Sequence, residues 1–176
     1  MHEEVAGLTR AVAGAFLTRW KVERPGLLQD STPLAGFLFA NAAGGCILVR
    51  RDDPLPRRRF SAAHELGHHR LHFQPALDRS KDECILTDDG METIREDQDL
   101  VSDEPGLSLP EMERQANRFA AQLLMPEELC RRLWDSYAKQ FGPTPRFIVH
   151  HVASDLLVSR EAARWRLREL GLIPPE

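Results

Sequence analysis

The sequence predicts an α+β fold that is mainly helical, with a small antiparallel β-sheet and further helices at the C-terminus. Apolar residues recur at helical spacing through most of the chain. Two short apolar runs, at 34–40 and 46–50, lie on either side of a glycine-containing turn and predict a hairpin. The 176 residues, 42% of them hydrophobic and 28% charged, fit one domain with one hydrophobic core.

Two helices are predicted on either side of this hairpin. The first covers residues 4–21, where an apolar residue recurs at every fourth position, and Pro25 and Gly26 end it. Its apolar stripe consists of Leu8, Val12, Phe16 and Trp20. The second helix covers residues 57–72 and follows a loop that contains prolines.

Four more helices are predicted in the second half of the chain. The third helix begins at a capping box formed by Ser108 and Glu111. Its apolar stripe consists of Met112, Ala116, Phe119, Ala120, Leu123 and Leu124. Pro126 ends this helix and starts the fourth. The last two helices are predicted over 145–155 and 159–170.

The main domain is predicted to span residues 1–143, and residues 144–176 form a helical appendage packed on the same domain. Within the main domain, residues 73–110 carry eleven acidic and three basic side chains, a net charge of −8 in a chain whose total is −4. Because this segment has no sustained helical or strand period, we expect a surface loop or insertion. It is either a solvated excursion or an acidic lip that selects substrate.

Composition argues against several classes of function. The net charge of −4 and the pI near 6.0 lack the basic excess that non-specific nucleic-acid binding needs. No apolar run approaches the roughly 20 residues that span a bilayer, so we expect no membrane association and a cytoplasmic location. Cys46, Cys84 and Cys130 are an odd number without paired spacing, which predicts neither a disulfide framework nor a cysteine zinc site.

The strongest chemical signal is the HELGH motif at residues 64–68. Residues four apart on a helix lie on the same side, one turn from each other, so the imidazoles of His64 and His68 can bind one metal ion. Glu65 lies next to that face, where it can accept a proton from an activated water without being a ligand. Zinc hydrolases need this division of roles. The alternative interpretation is the polar face of a surface helix.

A third ligand is predicted on the third helix. Glu113 supplies the carboxylate that completes a zinc set of two histidines and one glutamate. Asn117 lies four residues further on the same face, where its amide can bind the other ring nitrogen of a ligand histidine and fix the tautomer. Glu111 is the competing carboxylate, for which the capping box offers a structural role.

The sequence supports a role at the metal site less strongly for the other polar side chains. His72 is one helical step beyond the second motif histidine and is turned off its face, which favours a supporting hydrogen bond over ligation. His69 points elsewhere and is predicted to be a packing or surface residue. Tyr137, His150 and His151 are available to stabilise the oxyanion of the transition state, and the sequence does not select among them. The apolar face of the fourth helix favours a core role for Tyr137.

Four blocks of sequence carry a resemblance to a known family. They are the glycine hairpin with its ILVR strand, RRRFSAAHELGHHRLH, ERQANRFAAQLLMP and VSREAARWRLRELGLI. Together they resemble the ImmA/IrrE metallopeptidases of bacteria. The resemblance implies a zincin-like metallopeptidase domain in which His64, His68 and Glu113 bind zinc, with manganese as the alternative, and Glu65 is the catalytic residue. It also implies a cytoplasmic endopeptidase that cleaves a helix-turn-helix repressor encoded nearby, and so activates stress-response or mobile-element genes.

Two interpretations belong to other functional classes. Residues 146–170 are compatible with a helix-turn-helix that binds DNA, and Arg164 and Arg168 share one face there. Five arginines against three acidic residues give this stretch a net charge of only +2, which is small for phosphate binding. The other interpretation keeps the zinc fold but makes the protein an antitoxin-like partner that sequesters another protein without cutting it.

Overall fold

A five-stranded mixed sheet and six α-helices make up the part of the chain that the computed structural model describes. The described residues are 1–19, 21–22, 29–41, 44–75, 83–87, 90–94 and 109–174. The strands are β1 (His2–Val5), β2 (Gly36–Asn41), β3 (Gly44–Arg50), β4 (Glu83–Thr87) and β5 (Gly90–Ile94), in the spatial order β1-β3-β2-β4-β5. The helices are α1 (Arg10–Thr18), α2 (Leu55–His68), α3 (Leu109–Leu124), α4 (Glu127–Phe141), α5 (Pro145–Leu156) and α6 (Arg160–Glu169). The predicted α+β class, with helices predominating, is confirmed.

The predicted hairpin is formed by β2 and β3. The two strands are antiparallel, with Leu38 opposite Ile47 and Phe39 opposite Cys46. One face of the hairpin packs against α1 in an apolar core. The buried residues of this core are Leu8, Ala13, Leu17, Val22, Leu34, Phe37, Phe39, Cys46 and Leu48. Because successive side chains of a strand point to opposite faces, the other face of β2 is left for α2, which contacts both strands.

The predicted N-terminal helix over 4–21 begins too early. Residues 2–5 form β1, which pairs in parallel with β3, and α1 begins only at Arg10. The side-chain oxygen of Thr9 accepts a hydrogen bond from the backbone N–H of Val12 at 3.3 Å and so caps α1. Leu8 precedes the helix but lies in the same core, which is why it extends the apolar pattern. The parallel partner β1 also makes the sheet mixed rather than antiparallel throughout.

Part of the predicted acidic loop is a second hairpin. Strands β4 and β5 lie within residues 73–110; β4 is antiparallel to β2, and β5 is antiparallel to β4. The loop prediction is therefore wrong for these two strands. The pairing of β4 with β2 joins distant segments, and strand formation of this kind depends on its neighbours more than on local sequence. Residues 76–82, 88–89 and 95–108, among them the predicted capping residue Ser108, lie outside the described part of the chain.

Helices α2 and α3 pack closely together at Gly67. A Cβ atom at this position would lie 3.1 Å from Cδ1 of Phe119 and 3.2 Å from both the Cα and the carbonyl oxygen of Ala116. Glycine therefore permits an approach that a larger residue would oppose. Beyond α2 the chain continues in one π-helical turn, His69–Phe73, so the helical segment extends about as far as predicted. The close approach brings the HELGH motif next to α3.

The C-terminal helices share an apolar core with the end of α3. Its buried residues are Ala121, Met125, Cys130, Ile148, Val149, Val152, Ala153, Val158, Ala163, Leu167 and Ile173. The two predicted final helices are present: Ser159 Oγ accepts a hydrogen bond from the N–H of Ala162 at 3.0 Å, and Gly171, with φ of +69°, follows the end of α6. Among the described residues, no helix has the length and apolar character needed to cross a bilayer.

Candidate metal centre

Two histidines of α2 and a glutamate of α3 converge on one point. His64 Nε2 and His68 Nε2 lie 3.0 Å apart. Glu113 Oε2 lies 3.3 Å from His64 Nε2, and Glu113 Oε1 lies 3.1 Å from His68 Nε2. The structure thus brings together the three residues that the sequence analysis selected as metal ligands. We call these three residues the metal cluster.

The donor atoms of the metal cluster fit a divalent ion. Each residue offers one ligand atom, and these atoms all lie within 4.8 Å of one another. Ligand atoms about 2.0–2.2 Å from a tetrahedral ion are roughly 3.3–3.6 Å from each other, so the observed separations need only small adjustments. Two imidazole nitrogens and a carboxylate are donors that zinc accepts, and three protein ligands leave a fourth position open.

Burial keeps His68 in the protonation state that binds a metal. Its side chain is fully buried. Desolvation, together with the neighbouring His64 and His72, lowers the pKa of His68 to about 3. The ring is therefore neutral at pH 7 and retains one nitrogen lone pair for ligation.

Asn117 fixes the orientation of the first histidine. Its side-chain oxygen lies 3.0 Å from His64 Nδ1. An amide oxygen can only accept a hydrogen bond, so Nδ1 of His64 donates and Nε2 presents its lone pair to the metal cluster. This contact is the one that the sequence predicted for Asn117.

A chain of two hydrogen bonds supports the second histidine. His68 Nδ1 lies 3.1 Å from His72 Nδ1, and His72 Nε2 lies 3.2 Å from Oε1 of Gln115. When His68 Nδ1 and His72 Nε2 carry the protons, both hydrogen bonds are satisfied and His68 Nε2 is left to bind a metal. The sequence favoured such a bond for His72 but did not indicate Gln115, because the match between the two helices depends on their tertiary register.

Glu65 lies against strand β2. Its side chain is 5% exposed. A Cβ atom at Gly36 would lie 2.5 Å from Glu65 Oε1 and 3.1 Å from its Cγ, so a larger residue would displace this carboxylate from its position. This role of Gly36 is not predicted by the sequence. A glycine at the start of an apolar run was the only signal, and such a glycine is equally typical of a bend or a bulge.

Glu111 and His69 lie outside the metal cluster. Glu111 forms an ion pair with Arg114 at 2.6 Å, so Glu113 is the carboxylate of α3 that joins the histidines. His69 packs beside the β2–β3 hairpin, where its Nε2 would be 3.4 Å from a Cβ atom at Gly45. This position agrees with the packing role expected for His69.

The residues considered as oxyanion donors contact one another in the C-terminal helices. The hydroxyl of Tyr137 donates to Asp155 at 2.5 Å, and this bond raises the pKa of Tyr137. The Tyr137 ring stacks on His151 with centroids 4.8 Å apart, and the ring of His150 lies edge-on to His151 at 5.6 Å. These contacts join α4 to α5 and give Tyr137 a structural role.

One of the arginines counted toward DNA binding is buried. Arg166 is 5% exposed. Its Nε donates to the carbonyl oxygen of Met125 at 3.1 Å, and its Nη1 donates to Glu169 at 2.5 Å. Arg166 therefore holds α6 against the end of α3 rather than facing a phosphate backbone.

The site combines two histidines one helical turn apart, a glutamate from a second helix and a buried glutamate beside the first histidine. This arrangement is typical of metal-dependent peptidases. The model of the IrrE N-terminal-like domain family, Peptidase_M78, matches residues 27–168, which include every residue of the metal cluster. The chain therefore belongs to this family of metallopeptidases, as its resemblance to the ImmA/IrrE proteins implied. No curated protein matches the sequence.

Proposed function

We propose that the protein is a cytoplasmic zinc-dependent endopeptidase that cleaves a helix-turn-helix repressor encoded near its own gene. Cleavage would remove the repressor and activate stress-response or mobile-element genes. The observation that carries the proposal is the convergence of Glu113 from α3 with His64 and His68 of α2, the helix that also bears the buried Glu65. Two histidines and one glutamate are a ligand set of catalytic zinc sites, and manganese is the alternative metal.

The roles of the chain's own residues follow from their positions. A zinc ion bound by the metal cluster supplies Lewis-acid activation of water and of the scissile carbonyl. Glu65 is the general base: its carboxylate accepts the proton of the attacking water and returns it to the leaving amine. The wall of β2 at Gly36 limits the positions that this carboxylate can take. Asn117 holds the ring of His64 in place, and His72 does so for His68.

Loss of the His72 side chain should weaken zinc binding about 10–100-fold, because the ring of His68 would lose the acceptor that fixes its tautomer and orientation. The zinc affinities of the parent protein, His72→Ala and Gln115→Leu are each measured by competition with a chromophoric chelator. The matched control is His69→Ala, which removes the neighbouring histidine that packs on the hairpin instead. Parental affinity in His72→Ala would show that its hydrogen bond to His68 has no supporting role.

The proposed activity is tested with the repressor encoded beside the gene. The zinc-loaded protein and the chelator-treated protein are each incubated with purified repressor, and the products are analysed by mass spectrometry. We expect discrete fragments from the zinc-loaded sample only, and their masses give the cleaved bond. Stable binding of the repressor without fragments, across several divalent metals, would instead support a sequestering partner and refute the endopeptidase.

A further inference from the structure

A groove of about 1180 Å³ adjoins the metal cluster. Glu113 and Asn117 of α3 form part of its lining, and so do Ala162 and Trp165 of α6. The groove therefore runs between the helices of the metal site and the last helix of the chain. A molecule that contacts Glu113 has continuous access from the metal cluster to the surface of α6.

The lining of the groove is largely apolar. Phe60, Ala121, Met125 and Val158 contribute to its walls, and the last three are almost fully buried. Trp165 lines the groove with 50% of its surface exposed. A half-exposed tryptophan in an apolar depression is the kind of side chain that anchors a partner, because burying its ring is strongly favourable.

Phe60 connects this apolar lining to the metal cluster. Its ring stacks on that of His64, with centroids 6.4 Å apart and an interplanar angle of 29°. An apolar group in the groove can therefore pack beside a metal-ligand ring.

Charge does not select the occupant of the groove. Exposed arginines and glutamates both contribute to its rim, and Arg118 lies 3.8 Å from Glu169 across α3 and α6. Neither sign dominates, which disfavours a nucleic acid or a strongly acidic peptide. The apolar lining of the groove is therefore the feature that selects its occupant.

The position of Trp165 is fixed by its neighbours on α6. Ala163 and Leu167 are fully buried in the C-terminal core, and Arg166 bonds to the carbonyl oxygen of Met125. With these three side chains anchored, α6 has one orientation against α3. Trp165 is therefore a preformed part of the groove.

We propose that this groove is the specificity pocket of the peptidase and receives a large apolar side chain of the polypeptide substrate, adjacent to the scissile bond. This inference rests on the proposed function, because only a substrate cleaved at the metal cluster would have a segment bound in the adjoining groove. A peptidase of this family acts on a polypeptide, and the groove that Glu113 lines offers an apolar surface to a polypeptide held at Glu113. Leucine and phenylalanine match the apolar lining, whereas a buried aspartate would lose its hydration without gaining a partner.

The test uses peptide hydroxamates, which chelate zinc without requiring turnover. Two series carry the variable residue before or after the chelating group, and each compares leucine with aspartate. Binding to the zinc-loaded parent, Trp165→Ala and Trp165→Phe is measured by calorimetry. In at least one series we expect the hydroxamate that contains leucine to bind the parent about tenfold or more tightly than the one that contains aspartate. Trp165→Ala should lose most of this preference, and Trp165→Phe should keep it.

The control is Phe147→Ala, which removes an aromatic side chain that is 59% exposed but lies outside the groove lining. Equal affinities for leucine and aspartate in both series, or an unchanged preference in Trp165→Ala, would refute the pocket. A Trp165-dependent preference in a protein that cleaves no peptide would support the pocket and refute the hydrolytic function. If neither hydroxamate binds the zinc-loaded parent, the pocket is refuted, while the zinc content of that sample still reports on the metal cluster. A dimer in sedimentation that Trp165→Ala abolishes would assign the groove to a second copy of the chain.

Discussion

Replacing Glu65 by glutamine should leave zinc binding unchanged and lower peptide hydrolysis by about 10²–10⁴-fold. The amide has almost the same shape as the carboxylate but cannot accept a proton from water. Glu65 is not one of the three residues whose donor atoms converge, so the variant keeps every proposed ligand. Zinc content is measured by atomic absorption, and the rate is measured from the appearance of repressor fragments. A Glu65→Gln variant that cleaves at the parental rate would refute the assignment of Glu65 as the base.

A second variant tests the position of Glu65 rather than its chemistry. In Gly36→Ala the new Cβ atom would lie 2.5 Å from Glu65 Oε1, so the carboxylate must move while remaining intact. We expect Gly36→Ala to retain zinc and to lose activity, as Glu65→Gln does. Retained zinc with full activity in Gly36→Ala would mean that the contact with β2 does not position the base.

The sequence predicted the helical part of the site because its signals are local. The spacing of His64 and His68 specifies one helix face, and Glu113 and Asn117 are likewise four residues apart on a second helix. Joining the two helices needs one further assumption, that both faces meet, and the structure brings the three predicted ligands together. The assumption came from the chemistry of the residues, since a carboxylate completes the zinc set of two histidines, and the resemblance to a metallopeptidase family agrees with it.

The parts that the sequence did not predict depend on contacts between distant segments. Strand β1 forms because it pairs with β3, and β4 forms because it pairs with β2. Neither Gly36 nor Gln115 is marked by the spacing of a ligand motif. Gly36 reaches the site because β2 packs against α2, and Gln115 reaches it because α3 does. The apolar groove also brings together residues from α2, α3 and α6, and no single stretch of sequence contains it.

Replacing His68 by alanine should abolish both zinc binding and hydrolysis. His68 is the fully buried member of the metal cluster, and its loss removes a ligand and leaves His72 without its partner. In the parent, zinc at about 100 times its dissociation constant should stabilise the fold by about 2.7 kcal/mol and raise the melting temperature by roughly 5–10 °C. His68→Ala should show no zinc-dependent shift, whereas the control His69→Ala should keep the full shift.

Loss of the fold must be distinguished from loss of the metal. His64 is more exposed than His68, with 17% of its side chain accessible, so His64→Ala removes a ligand while disturbing the core less. Circular dichroism of both metal-free variants reports whether the helices persist. If His64→Ala is folded but its melting temperature no longer responds to zinc, the ligand role stands even where His68→Ala fails to fold. If folded variants of both histidines retain the parental zinc shift, the ion binds elsewhere, and the metal cluster cannot be the catalytic centre.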